Sequence, residues 1–383
     1  MFSGCGGLSV GLSEAGFRVL GGLDADCDAI TTFKKSHPRS LGLQVDARRF
    51  VDDLDSFLGS TDGIDVLVGG PPCQGFCVIN PKRSQDDPRN ACIQVFLDAA
   101  LSLMPKAIVM ENVPGLLTLA KGFAYKKVCE VLGSAGFTTS AMVLQAAHYG
   151  VPQSRWRLFI VGLRGKQFAF PEPTHRAMIR PNIAGGRSMT MRIPPADDLF
   201  TTLLPPVTVA DAISDMPPIR NGGGKAVAEY RKAAATDFQV NARASSESLS
   251  NHQTLRLGDA YMDRIKAIPK EGMCWKDLPE DLIPANIRRS QEKWKCDTPT
   301  RFGRLRNDGL FTTILTRPEP YWGSFIHPSQ HRVISVREAA RAQSFPDHVV
   351  FQGDLPSQYR QVGNAIPPLL AKVLGKALLR QLA

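Results

Sequence analysis

The stretch GGPPCQGF, residues 69–76, sets Cys73 behind two prolines and two glycines at the end of the apolar run IDVLV (64–68). A structural cysteine packs as a small hydrophobe inside a strand or helix. This backbone instead holds the thiol outward at the carboxyl end of a strand, where parallel sheets bind their ligands. Two readings are open at this point: a nucleophilic thiol, or a turn needed for its backbone alone.

A second group opens the chain. FSGCGGLSVGL (2–12) reads as a glycine turn running into a helix, with Gly4, Gly6 and Gly7 free to take positive φ and to let a ligand approach the backbone. Their spacing is not the G-x-G-x-x-G of a dinucleotide phosphate loop. Asp24 ends the next strand, placed for two ribose hydroxyls, and Asp46 ends the one after, placed for an adenine amino group. Two acids with such a turn suit a nucleoside lacking a pyrophosphate, and S-adenosylmethionine is one; each acid could equally end a strand or cap a helix. In ENVPGLL (111–117), Glu111 could hold and protonate a heteroaromatic ring nitrogen, or be an acid favoured at a helix start. In QSRWRLFIVG (153–162), Arg155 and Arg157 alternate and so share one strand face, suited to an anion or a carbonyl oxygen, although surface arginines at this spacing are common.

The elements that must position these groups follow from short apolar runs bounded by turn residues: FRVLGGLDAD (17–26), LGLQVD (41–46), IDVLVGG (64–70), KAIVMENV (106–113) and WRLFIVGL (156–163). CDAITTFKKSHP and CIQVFLDAALSLMP between them read as helices stopped at a proline. The alternation predicts an α/β fold, a doubly wound, mostly parallel sheet of Rossmann-like type. After PEPTH (171–175) the pattern breaks, and about 176–300 reads as a loop-rich second domain. Residues 281–307 carry seven Lys/Arg against three Asp/Glu, with Trp294 and Phe302 interleaved. The last helix, PPLLAKVLGKALLRQLA, is apolar on one side and is expected to pack on the first domain.

At 383 residues the chain can bury two cores, and its 43% hydrophobic and 21% charged content is that of an ordinary soluble protein. A net charge of +10 points towards a polyanionic partner. Eight cysteines without CxxC pairs or metal-spaced histidines argue against a zinc site or a disulfide scaffold and suit a reducing compartment. No apolar stretch is read as membrane-spanning and no signal peptide is read before the first motif. Met1 is followed at once by the glycine motif, so the chain is expected to be a fragment rather than to have an unusually short first strand.

The order FSGCGG, GGPPCQGF, ENVPGLL, QSRWR, SVREAARAQSFPD, QVGNAIPP resembles the motif series of the DNA cytosine-5 methyltransferases, over about 1–175 and 301–383. The resemblance implies a catalytic domain at 1–175, completed by 350–383, and a smaller target-recognition domain at 176–349. It implies that Cys73 adds to carbon 6 of a flipped-out cytosine in double-stranded DNA. Glu111 would bind ring N3 and the exocyclic amine, Arg157 the carbonyl oxygen, and Arg155 the loop or a phosphate. The cofactor would be S-adenosylmethionine, held by Phe2, Gly4, Gly6, Asp24, Asp46, Pro72 and Asn364. Residues 75–91 resemble the family's active-site loop, with Lys82, Arg83 and Arg89 as phosphate clamps. Arg337 and Arg341, four apart on a helix, are expected to be structural. Ala25 stands where relatives often carry a large side chain on the adenine, and Cys77 where a serine is usual.

The expected protein is a metal-free monomer acting away from membranes, cytoplasmic and DNA-associated in a bacterium or nuclear in a eukaryote. Transfer-RNA cytosine methylation uses the same catalytic motifs, but with a shorter recognition segment. A silent DNA-binding relative would lack catalytic residues that are all present here. The glycine spacing and the absence of hydride-transfer residues weigh against a nicotinamide dehydrogenase.

Overall fold

The apolar runs form strands, mostly shorter than expected: β1 (Gly21–Asp24), β2 (Leu41–Gln44), β3 (Val66–Gly69), β4 (Ala107–Asn112) and β6 (Trp156–Arg164). One more strand, β5 (Phe137–Gln145), had no counterpart in the reading of the sequence. The computed structural model describes residues 1–59, 63–72, 91–118, 122–177, 203–294 and 300–382. Two units emerge from it, one of Met1–Tyr149, Arg155–Pro205 and Pro368–Ala383, the other of Gly150–Ser154 and Pro206–Pro367. The expected recognition segment 176–349 is therefore shared between the two units.

In the first unit β1 pairs with β2 in parallel, and a four-stranded sheet runs in the order β3-β4-β6-β5. Within that sheet β3 and β4 are parallel, but β6 is antiparallel to both β4 and β5. The architecture is α/β: β3, β4 and β5 run the same way and β6 alone is reversed between β4 and β5, which keeps the sheet mostly parallel by strand direction. Only residues 146–155 join β5 to β6, too few for the helical crossover a parallel pair needs. The opening residues lace the two sheets together: Ser3 N donates to Leu23 O of β1 (2.9 Å) and the Met1 nitrogen to Val68 O of β3 (2.7 Å).

Helices α1 (Gly7–Ala15), α2 (Cys27–Ser36), α3 (Ala47–Asp52), α4 (Leu54–Leu58), α5 (Ala91–Leu103) and α6 (Phe123–Ser134) complete this unit, with the final helix Pro368–Leu382. The core includes Phe96, Ile108, Met110, Phe137, Leu158 and Ile160. The final helix lies so close to α1 that a Cβ on Gly11 would sit 2.6 Å from Ala371 Cβ, and nearer still to the Pro368 carbonyl oxygen. Its return to the first unit is as expected. By length and composition alone the stretch 355–382 could cross a membrane, but it is divided at 365–367 into helices of 10 and 15 residues and its most apolar window is two-thirds buried, as in a core helix.

The second unit is loop-rich, with short helices and one strand pair set in irregular chain. It holds α7 (Val209–Ile213), α8 (Asp237–Arg243), α9 (Asp259–Ala267), α10 (Ala285–Trp294), α11 (Val336–Ala342) and α12 (Leu355–Asn364), with the antiparallel pair β7 (Gly224–Ala228) and β8 (Leu249–Gln253). Besides an apolar core that includes Ile265, Trp275 and Phe302, it buries an ionic cluster. SVRE (335–338) forms a capping box at the start of α11, and Glu338 also takes two hydrogen bonds from buried Arg332, at 2.6 and 2.7 Å. Arg337 donates to Ser250 O (2.8 Å) and Val349 O (2.6 Å), while Arg341 pairs with Asp347 (2.6 Å) and Asp215 (3.3 Å). Both arginines are fully buried, which fits the structural role expected of them.

This buried ionic centre makes the second unit acid-sensitive. Burial alone would raise the Glu338 carboxyl, but the charge and hydrogen bonds of Arg332 outweigh it and hold it well below the usual carboxylate range. Burial drives the neighbouring His327 imidazole down to about 4, against the opposing pull of Glu338. Both folded values are depressed, so the stability they carry is present above the unfolded values and lost as pH falls. His327 acts first, between its unfolded value of 6.5 and its folded value of about 4, an interval of about 3 kcal/mol. Resistance to urea unfolding is expected to weaken as pH drops below about 6.5. Glu338→Gln should cost about 3–5 kcal/mol at neutral pH, because it strands Arg332 in the interior. A flat stability profile from neutral pH to about pH 4 would contradict this account.

Candidate active site

The glycine turn is held by the acid that follows it. Gly4 and Gly6 take φ of 53° and 92°, and Phe2 takes 52°, so three residues of the opening motif are in the left-handed region. Gly4 N donates to one Asp24 oxygen (2.9 Å) and Asp26 N to the other (3.0 Å). Asp24 thus organises the turn with both oxygens, each of which keeps a further lone pair. Asp46 caps α3 by accepting from Arg48 N (2.9 Å). The structural roles weighed for these acids are both present, Asp24 ending β1 and Asp46 capping α3 just past β2, the strand parallel to β1. A Cβ built on Gly4 would meet nothing within 4 Å, so the backbone there is open to a ligand.

The proline turn leaves β3 under equally close constraint. A Cβ on Gly69 would lie 2.7 Å from Met1 O and from the Phe96 ring. On Gly70 it would lie 3.2 Å from Glu111 Oε2. Asn112 Nδ2 donates to Pro71 O (3.3 Å), tying the turn to the end of β4. Cys73 itself, with Lys82, Arg83 and Arg89, lies outside the described residues. Pro72, half-buried, is the last described residue before it.

Strand register explains the main ion pair. Glu111 faces Phe159 across the β4–β6 ladder, and Arg157 sits two residues earlier on the same face of β6. A diagonal neighbour lies within reach of a long side chain, and Arg157 Nε meets Glu111 Oε1 at 2.8 Å. Both side chains are nearly buried, 15% and 13% exposed. Arg157 Nη1 also donates to Trp156 O (2.8 Å), fixing the guanidinium. Burial pushes the Glu111 carboxyl above its ordinary value, opposed by Arg157 and then Arg155. Arg155 lies just before the strand and is buried; burial and then Arg157 lower its affinity for the proton. Its backbone is pinned from both sides, Arg155 N donating to Gln145 Oε1 (2.7 Å) and Ala146 N to Arg155 O (2.9 Å).

Within the second unit, Gln153 donates to Gln343 Oε1 (2.7 Å) and accepts from Ile314 N (2.8 Å). Gln343 in turn donates to Val362 O (2.7 Å) and Ala365 O (3.1 Å), clasping the GNA turn on whose edge Asn364 is exposed. Sequence reasoning passed over Asn112, Gln145, Gln153 and Gln343. Asn112, Gln153 and Gln343 are amides inside the quoted motifs, and that position was the available signal; Gln145, eight residues before QSRWR, had none.

Among the described residues the free cysteines are Cys5, Cys27, Cys92, Cys129 and Cys274, and no group of His, Cys, Asp and Glu has the geometry of a metal site. Burial raises the thiols of Cys5 (to about 12), Cys92 and Cys274, which makes them poor nucleophiles.

Mixed α/β sheets ending in a glycine turn, two acids and a proline turn place the chain among the α/β methyltransferases. A prophage-encoded DNA modification methyltransferase of E. coli superposes on it with a TM-score of 0.71 at 26% identity, covering 100% of this chain and 97% of the other. The Dnmt2 methyltransferase of S. pombe, at 16% identity and a TM-score of 0.54 over 100% of this chain and 97% of that one, shares the fold. The model of the C-5 cytosine-specific DNA methylases matches residues 1–380, and the chain belongs to that family. It is 33% identical to the type II methyltransferase M.DdeI of Desulfomicrobium norvegicum, over 99% of this chain and 87% of that protein. It is 30% identical to DNA (cytosine-5)-methyltransferase 1A of Oryza sativa subsp. japonica, over 99% of this chain but 28% of the rice protein's length.

Proposed function

We propose that the chain methylates carbon 5 of a cytosine flipped out of duplex DNA, through a transient covalent bond to Cys73. The observation that carries this reading is the Glu111–Arg157 pair at 2.8 Å, beside the turn that leads into Cys73. Cytosine is a weak electrophile at carbon 6, and adding a thiolate there makes carbon 5 nucleophilic. Glu111 holds a proton at ring N3 and accepts from the exocyclic amine, so the electrons displaced into the ring are neutralised as the carbon–sulfur bond forms. Arg157 orients Glu111 and reaches the ring carbonyl oxygen, while Arg155, pinned by Gln145, supports the loop. Loss of the carbon 5 proton to water and departure of the sulfur restore the ring.

S-adenosylmethionine supplies the methyl group when bound. Gly4 and Gly6 offer it an open backbone, and Asp24 and Asp46 offer lone pairs to hydroxyl and amino donors, with Phe2, Pro72 and Asn364 completing the set. Lys82, Arg83 and Arg89 would clamp phosphates, and the second unit would read the site, the chain acting as a metal-free monomer wherever the cell keeps its DNA. The names of the relatives at 30% identity or more favour DNA over transfer RNA.

Tritiated S-adenosylmethionine offered with unmethylated plasmid should label cytosine carbon 5, and bisulfite-type sequencing should place the label in one sequence context. Label on transfer RNA alone, or on neither substrate, would overturn the reading.

A further inference from the structure

An aromatic cleft in the second unit plays no part in the chemistry above. It has a volume of about 340 Å³ and is lined by Tyr261, Arg264, Asn286, Phe302, Glu319 and Trp322, among others. Phe302 is buried at its floor, stacked on Tyr261 (5.8 Å between centroids, 23°) and edge-on to Tyr321 (6.5 Å, 83°). Tyr321 meets Trp322 edge to face at 4.8 Å, and Trp322 remains 51% exposed at the rim. Phe302 takes a left-handed φ of 49°. That conformation is costly for a bulky residue and persists only where the surroundings enforce it.

The polar groups say what such a cleft would take. Guanidinium groups already lie near the rings, Arg301 4.8 Å from the Tyr321 centroid and Arg264 5.8 Å from that of Phe302. A cationic ligand would be repelled by them. Asn286 offers both donors and acceptors, and Glu319, whose Oε1 already meets Arg317 Nε at 3.2 Å, offers acceptors only. Arg288 and Arg289 are exposed on α10, the same helix as Asn286. Rings for stacking, an acceptor for amino protons and cations for a phosphate are the features by which proteins hold an unstacked base. The volume is at the small end of ligand sites, enough for one base and not for a run of them.

We infer that this cleft binds a single unpaired, amino-bearing nucleobase of the DNA on which the protein acts, stacked against Trp322 with its amino group towards Glu319. The inference rests on the proposed action on DNA, but it is read by binding rather than by methylation. The probes are fluorescein-labelled duplexes with one bulged guanosine, with one bulged thymidine, or with no bulge, titrated with the full chain at fixed salt.

The bulged guanosine should bind about tenfold more tightly than the continuous duplex, the scale of one base–aromatic stack. Trp322→Ala, at an exposed position, should erase that preference while changing continuous-duplex affinity less than about twofold. Glu319→Gln should narrow the preference for guanosine over thymidine. Equal binding of bulged and continuous duplexes by the unsubstituted chain, or a preference surviving Trp322→Ala, overturns the inference. Methyl transfer measured on the same preparations tests the proposed function separately: its absence alongside a bulge preference sinks that function and leaves the cleft's ligand standing.

Discussion

Cys73→Ala is expected to lower methyl transfer to duplex DNA by on the order of 10⁴-fold or more, the scale at which a lost covalent nucleophile is felt. Alanine keeps the proline turn and removes only the sulfur, so affinity for duplex should persist. A free thiol with a pKa of about 8.5 is only a few per cent thiolate at neutral pH, so its surroundings must favour the anion. The described thiols whose protonation is perturbed are all pushed the wrong way, those of Cys5, Cys92 and Cys274 being raised by burial. Duplex containing 5-fluorocytosine cannot lose a proton at carbon 5, so the adduct should accumulate on the unsubstituted chain and vanish in Cys73→Ala. Methylation retained by the alanine variant, or an adduct on another residue, removes Cys73 from the mechanism.

The parts of this site differ in how far the sequence shows them. Residue types and strand ends were legible because apolar runs and turn residues are local signals, and β1 to β4 and β6 stand where those runs are. The reversal of β6 alone was not, since alternation looks the same whichever way one neighbour runs. β5 escaped notice because Thr138, Thr139 and Ser140 dilute its apolar character, five of its middle residues being only half-buried. With β5 unseen, the short link to β6 could not be counted, and the antiparallel edge was missed. The spacing of Arg155 and Arg157 was legible, but the partner of Arg157 was not. Glu111 reaches it through a register set between strands more than forty residues apart. Likewise the acid at position 24 was evident, whereas its grip on Gly4 depends on a left-handed turn that only the folded backbone displays.

The same register makes Glu111 the second residue whose loss should be severe. Glu111→Gln keeps the shape of the side chain and an oxygen for the Arg157 Nε–H, but it has no proton to hold at ring N3. A fall in kcat of about 10²–10⁴-fold is expected, the range of a lost general acid. Burial holds the Glu111 carboxyl above its ordinary value despite Arg157 and Arg155, so its protonated form persists to higher pH than an exposed glutamate would allow. Activity that depends on that form is present below the raised value and lost as pH rises through it, and the glutamine variant should lack this limb of the pH profile. Stability moves in the same direction. Ionising a buried carboxyl disfavours the folded state as pH rises through the raised value, so at neutral pH the neutral amide should leave the thermal midpoint within a few degrees of the unsubstituted chain. Undiminished kcat in Glu111→Gln, or an unchanged pH limb, would show that the carboxyl only anchors Arg157; a collapse of the thermal midpoint together with activity would place it in the scaffold.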